Sequence, residues 1–122
     1  MKLGEIRHQP RHLINGRWVS GATTGISVNP SDTREVVAEF ARADRNQTEL
    51  AIAAAADALP QWSLSTPQRR ADALDLAGSE LLARKEELGE LLAREEGKTL
   101  PEAIAEVARA GNIFKFFAGE AL

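Results

Sequence analysis

A few residues in this 122-residue chain have the types and spacing that chemistry asks for. His8 and His12 stand four apart, as two metal-binding histidines would on a helix. Pro10 lies between them and prevents a helix, so both read as solvated histidines. Gly97-Lys98-Thr99 has the form of the last residues of a phosphate loop. The preceding Leu92-Ala93-Arg94-Glu95-Glu96 has no glycine and is helical and anionic, which is wrong for cradling phosphate. Gly97 is better placed as the left-handed residue that ends a helix, with Lys98 solvated beyond it. Glu86-Glu87 and Glu95-Glu96 are adjacent pairs, about 100° apart around a helix, so neither can act as a facing acid and base. The Arg69-Arg70 pair reads as a solvated face. The chain contains no cysteine, which removes a thiol nucleophile, thiolate metal ligands and disulfides. These residues give the chain no catalytic and no cofactor-binding residue of its own.

The elements that would position these groups follow from period and punctuation. Residues 1–11 read as a flexible polar tail. Leu13-Ile14-Asn15-Gly16-Arg17-Trp18-Val19 predicts a hairpin, because Asn-Gly suits a turn with positive φ at both central residues. Residues 20–25 read as a loop. A second β-element is expected over 26–41, turning at Asn29-Pro30-Ser31-Asp32. In its second half Val36, Ala38 and Phe40 point one way and Val37, Glu39 and Ala41 the other.

From Asp44 the period becomes helical. Asp44 and Gln47 fit a capping box, and a helix follows over 47–59 with Ile52, Ala53, Ala56 and Leu59 at helical spacing. Pro60 is expected to break or end it. Residues 61–65 then form a connector with Trp62 and Leu64 as buried anchors. Thr66-Pro67 opens a helix over 67–84, with Ala71, Leu74, Gly78 and Leu81 on one stripe. A third helix, over 86–96, is expected to bury Leu88, Leu91 and Leu92. A fourth, over 101–121, carries Ile104, Val107, Gly111, Phe114 and Ala118. The class is α+β: N-terminal antiparallel β-hairpin elements followed by four helices.

Composition bounds the function. The chain is 43% hydrophobic and 27% charged, which is globular, and the net charge of −3 argues against a nucleic-acid partner. No apolar run is long enough to span a membrane, and the N-terminus lacks the apolar core of a signal peptide, so a cytoplasmic protein with no membrane partner is expected. The end of the chain, Phe114-Lys115-Phe116-Phe117-Ala118-Gly119-Glu120-Ala121-Leu122, stays apolar and helical. It reads as a chain cut inside a larger domain, with self-association expected through residues 113–122.

The order of these motifs resembles the N-terminal part of the NAD(P)-dependent aldehyde dehydrogenase superfamily. The resemblance rests on Ile14-Asn15-Gly16-Arg17-Trp18-Val19, on Val28-Asn29-Pro30 with Glu35-Val36-Val37-Ala38, and on the helix running from Ala51 to Trp62. Thr66-Pro67-Gln68-Arg69-Arg70, Glu95-Glu96-Gly97-Lys98 and Phe116-Phe117-Ala118-Gly119-Glu120 complete it. Residues 12–122 then correspond to an incomplete N-terminal part of the cofactor-binding domain of an α/β, Rossmann-like fold. Residues 29–37 and 118–122 look most like the branch acting on semialdehydes such as 2-oxoglutarate semialdehyde.

The resemblance implies a whole enzyme that oxidises an aldehyde or semialdehyde to the acid with NAD or NADP. Its cysteine, glutamate base and glycine-bearing cofactor segment are not among these residues, so this chain alone should be inactive and bind no nucleotide. The resemblance also implies a Na⁺ or K⁺ site using the backbone oxygens of Ser27 and Val28 and the Glu95 carboxylate. It further implies a substrate tunnel lined by Ala105, Arg109 and Asn112. Taken by itself, Arg109 is a surface arginine; in a tunnel it could grip a substrate carboxylate through both nitrogens. The remainder of such an enzyme, supplied separately, would be a partner. The alternative is a non-enzymatic helical module for oligomerisation or as an adaptor.

Overall fold

A computed structural model describes residues 11–122; His8 and the other expectations for residues 1–10 lie outside the described residues. The described residues form two units. One contains the residues up to Val28 together with Val36–Leu64, and the other contains Asn29–Glu35 with Ser65–Leu122.

In the first unit β1 (Arg11–Ile14) and β2 (Arg17–Ser20) pair antiparallel, with His12 opposite Val19 and Leu13 opposite Trp18. Asn15 and Gly16 have φ of 50° and 71°, the left-handed pair that the Asn-Gly turn requires. Arg11, expected in the tail, therefore begins a strand. β3 (Thr23–Asn29) and β4 (Asp32–Arg42) form the second two-stranded sheet, of which Asn29 and the residues from Asp32 to Glu35 count with the second unit. β3 starts three residues earlier than expected, taking Thr23 to Gly25 from the predicted loop. A Cβ on Gly25 would lie 2.7 Å from the Phe40 ring and from Arg42 Nε, so these side chains lie in the space that the glycine leaves over the strand. The Arg42 guanidinium sits 5.4 Å from the centre of the Phe40 ring.

α1 (Arg45–Ser63) is capped as its sequence requires. Asp44 accepts from the Gln47 amide at 2.8 Å, and the Gln47 side chain accepts from the Asp44 amide. The same Gln47 side chain donates to the Ser20 carbonyl at 2.7 Å and accepts from the Ala22 amide, stitching the end of β2 to the helix. Pro60 does not break α1. It lacks a donor, but its own carbonyl accepts from the Leu64 amide and the Ser63 hydroxyl, so the helix gains another turn before closing. That extension carries Trp62 and Leu64 outward instead of burying them, and Leu64 is 87% exposed. No residue of α1 is buried.

The second unit packs three helices: α2 (Pro67–Ala83), α3 (Lys85–Glu96) and α4 (Leu100–Glu120). Thr66 caps α2, its hydroxyl accepting from the Arg69 amide, with Pro67 at the first helical position. Arg70 is not a solvated arginine; its guanidinium turns back to donate to the Ser65 carbonyl. Gly97, at φ 69°, ends α3, its amide donating to the Ala93 carbonyl at 2.8 Å. Thr99 opens α4, and Glu102 accepts from both its amide and its hydroxyl.

The core of this unit is made of small residues. Ala71, Ala103, Val107 and Ala118 are its buried apolar side chains, joined by buried Gly78, Gly89 and Gly111. A Cβ on Gly78 would lie 2.8 Å from the Gly111 carbonyl oxygen, and one on Gly89 would lie 2.6 Å from Ile104 Cγ1. Glycine is needed where α2 and α3 approach α4, and the helices meet backbone to backbone. Lys115 ties the far end, donating to Asp75 at 2.7 Å and to the Ser79 hydroxyl at 2.8 Å. Leu88, Leu91 and Leu92, expected to be buried, are half-buried, and Phe114 is 38% exposed.

Candidate functional site

The outward side of α4 brings three expected residues together. Ala105, Arg109 and Asn112 lie on successive turns and line one shallow groove of about 480 Å³ with Ile113, Phe116 and Phe117. Arg109 also borders a larger apolar groove of about 690 Å³, whose wall includes Leu88, Leu91, Leu92 and Val107, with Glu95, Glu96 and Glu106 at its edge. A guanidinium between two apolar grooves can take a carboxylate end-on while an aliphatic chain lies along either wall.

Lys98 is held, not solvated. It pairs with Glu96 and Glu106, and these carboxylates raise its ammonium above the usual lysine value. It is therefore engaged and not offered to an incoming phosphate.

Of the expected cation ligands, Ser27 and Val28 lie in β3 of the first unit, and Glu95 is an exposed residue near the end of α3 in the second. Among the described residues there is no group of three or more histidine, aspartate and glutamate side chains able to hold a metal ion. His12, now in β1, has no second histidine near it among the described residues.

One cluster escaped the sequence reading. Glu35 accepts from Asn29 Nδ2 at 2.7 Å and from Arg94 Nε at 2.7 Å, and these donors, Asn29 first, hold its carboxyl below the usual value. Asn29 Oδ1 accepts from the Ser31 amide, and the Ser31 hydroxyl donates to the Gly97 carbonyl at 2.8 Å. The Asn-Pro-Ser turn is thus fastened to the corner between α3 and α4. Asn29 and Ser31 carried a turn signal, but nothing local pointed to Arg94.

The order of these elements has a counterpart among known proteins. The aldehyde dehydrogenase family model matches residues 18–122. The chain belongs to that family. It is 40% identical, over 91% of its length, to the alpha-ketoglutarate semialdehyde dehydrogenase of Haloferax volcanii, and covers 23% of that protein. It is 39% identical, over 89% of its length, to the mitochondrial succinate-semialdehyde dehydrogenase of Arabidopsis thaliana, and covers 21% of it. A crystal structure of an NAD-dependent benzaldehyde dehydrogenase from Corynebacterium glutamicum superposes on 99% of the chain with a TM-score of 0.86 and 31% identity. The chain covers 26% of that structure. This aldehyde dehydrogenase segment therefore spans about a quarter or less of the length of the relatives it matches. No helix among its described residues is long and apolar enough to cross a membrane.

Proposed function

We propose that this chain is the N-terminal portion of a cytoplasmic aldehyde dehydrogenase that oxidises a semialdehyde bearing a carboxylate, with NAD or NADP, to the dicarboxylic acid. One observation carries the reading: nearly the whole chain superposes on, and shares 31% identity with, an NAD-dependent aldehyde dehydrogenase. The two semialdehyde dehydrogenases above support the substrate class.

When bound, the dinucleotide accepts the hydride removed from the substrate. This chain's share is binding. Arg109, with Ala105 and Asn112 beside it, receives the substrate carboxylate at the tunnel mouth. Having no cysteine, the chain cannot form the thiohemiacetal by itself. Neither nucleic acid nor membrane enters the reading.

The test is a chimera in which this chain replaces the matching segment of the Haloferax volcanii enzyme. It should reduce NAD⁺ or NADP⁺ with 2-oxoglutarate semialdehyde, while the 122-residue chain alone gives no turnover. In the chimera Arg109→Ala should raise KM for the semialdehyde about tenfold or more, the loss of one charge-assisted pair, and leave an uncharged aldehyde unaffected. A chimera that folds, by circular dichroism, but turns over no aldehyde sinks the proposal. Equal KM changes for charged and uncharged aldehydes sink the role of Arg109.

A further inference from the structure

The chain has four asparagines, Asn15, Asn29, Asn46 and Asn112. Asparagine is a thermolabile residue, because the backbone nitrogen of the next residue can attack its side-chain carbonyl carbon. That nitrogen must carry a proton, be sterically open and be free of a hydrogen bond. The fold treats the four following amides differently. After Asn29 comes Pro30, which has no N–H, and the Asn29 side chain is itself held by Glu35 at 2.7 Å and by the Ser31 amide at 2.9 Å. After Asn46 comes Gln47, whose amide donates to Asp44 Oδ1 at 2.8 Å in the cap of α1. After Asn112 comes Ile113, inside α4, where the amide belongs to the helix ladder and a branched side chain stands beside it.

Asn15 differs from the other three. The register pairs Ile14 with Arg17, so the ladder bonds of the hairpin run through those two residues and bypass the Gly16 amide. That amide has no hydrogen bond among the described residues. Gly16 has no side chain to obstruct its nitrogen, and even a Cβ there would meet no atom within 4 Å. Asn15 and Gly16 are both exposed, so water reaches the two reacting groups. These features belong to a two-residue turn and its own backbone.

We propose that Asn15 is a modification site, deamidating through a cyclic imide formed with Gly16 and with water as the co-reactant. The Gly16 nitrogen gives its proton to solvent and bonds to Asn15 Cγ. The bond from Cγ to Nδ2 breaks, and Nδ2 leaves as ammonia. Water then opens the ring at either carbonyl. Opening at Cγ restores the main chain and leaves aspartate. Opening at the main-chain carbonyl leaves isoaspartate, whose chain runs through Cβ and Cγ. No oxidant or reductant takes part, and each product carries one more negative charge. The products differ in what they do to the hairpin. Asp-Gly closes the same turn as Asn-Gly. Isoaspartate adds a methylene to the backbone of a two-residue turn, and the pairing of Ile14 with Arg17 is lost, since register follows turn length. The site is independent of the enzymatic reading.

Peptide mapping by mass spectrometry of the aged chain, with the chimera aged beside it at mildly alkaline pH, tests the proposal. In both, the Asn15 peptide should gain the mass of an amide-to-acid exchange and split into two species, one of them methylated by a protein-isoaspartate methyltransferase. Unfolding in urea should raise the rates at Asn46 and Asn112 about tenfold, by releasing their following amides, and change the rate at Asn15 by less than about threefold. Gly16→Ala strains the left-handed turn, yet should slow conversion about tenfold because its Cβ crowds the attacking nitrogen. Asn15→Asp, which is the aspartate product, should keep the parent's circular dichroism. Asn15 left intact in either protein overturns the proposal. So does conversion of folded Asn46 or Asn112 as fast as Asn15, a rate at Asn15 that rises with unfolding as theirs do, or a Gly16→Ala variant that converts as fast as the parent. Loss of the parent's circular dichroism in Asn15→Asp overturns the division between the two products. The chimera's turnover is a separate readout, so either proposal can fail while the other stands.

Discussion

The two units of this chain hold together by different means. In the unit containing α2, α3 and α4, every buried apolar residue is small, and glycines let the helices approach until backbone meets side chain and backbone. In the unit of the two hairpins and α1, no described residue is buried, and the contacts between β2 and α1 run through one glutamine side chain. Several of its apolar residues, Ile52 and Leu59 among them, stand more than half exposed. Dispersion and excluded water hold the first of these units, whereas directional hydrogen bonds, each contributing about 1 kcal/mol, hold the second. Alternating apolar residues in a sequence mark a face that something covers. They do not say that the covering element lies in the same segment.

The sharpest way to break the contrast is to fill a helix contact. Gly78→Val should destabilise the α2–α4 unit by about 3 kcal/mol, since its Cβ would meet the Gly111 carbonyl with no flexible atom to give way. Gly119, in the same helix α4, has open space around it, so Gly119→Ala should instead stabilise by about 1 kcal/mol through helix propensity. Urea unfolding measures both, and equal signs for the two would mean that close packing is not what requires Gly78.

A smaller effect comes from removing apolar atoms. Val107→Ala should cost about 2 kcal/mol, because Val107 is 8% exposed and its loss leaves a cavity. Ile52→Ala, at a position 63% exposed, should stay within about 0.5 kcal/mol of the parent. A large cost at Ile52 would show that α1 has a cover in solution that the chain's own contacts do not provide.

The smallest effect is electrostatic. Glu35 has its carboxyl held below the usual value by Asn29 and Arg94. Its contribution is therefore complete above the ordinary carboxylate range and disappears as pH falls through the lowered folded value. The stability difference between the parent and Glu35→Gln should shrink between pH 7 and pH 3 in urea titrations. A difference that is constant with pH would mean that the charge of Glu35 contributes nothing.

Much of the architecture was readable because its determinants are local. Asp44 with Gln47, Thr66 with Pro67, and Thr99 with Glu102 each satisfy helix amides within one turn, and Asn15-Gly16 closes its hairpin by backbone preference alone. The misreadings came where a helix ran on past its punctuation. Pro60 looked like a stop, yet its carbonyl could still accept from residues after it. Trp62 and Leu64 looked like anchors, but their exposure depends on how far α1 continues. For the candidate site, the sequence led to Ala105, Arg109 and Asn112, which the helix places along one groove. It gave no sign of Glu35 with Arg94, 59 residues apart, because an ion pair across that separation leaves no pattern in either segment.

The bond from the Ser31 hydroxyl to the Gly97 carbonyl bears on the order in which the chain assembles. It joins residues 66 apart. Closing a flexible loop of that length costs about 1.5 kcal/mol more entropy than closing one of a dozen residues, since each doubling adds about 0.6 kcal/mol. The helix pair on either side of Gly97 can form first, with only a few residues to order between them. The Asn-Pro-Ser turn then has a finished surface to land on, and it docks late in folding. By the same accounting it is the first part of its unit to lift away, so the Ser31 amide, which donates to Asn29 Oδ1, should exchange with solvent well before the amides in the middle of α4.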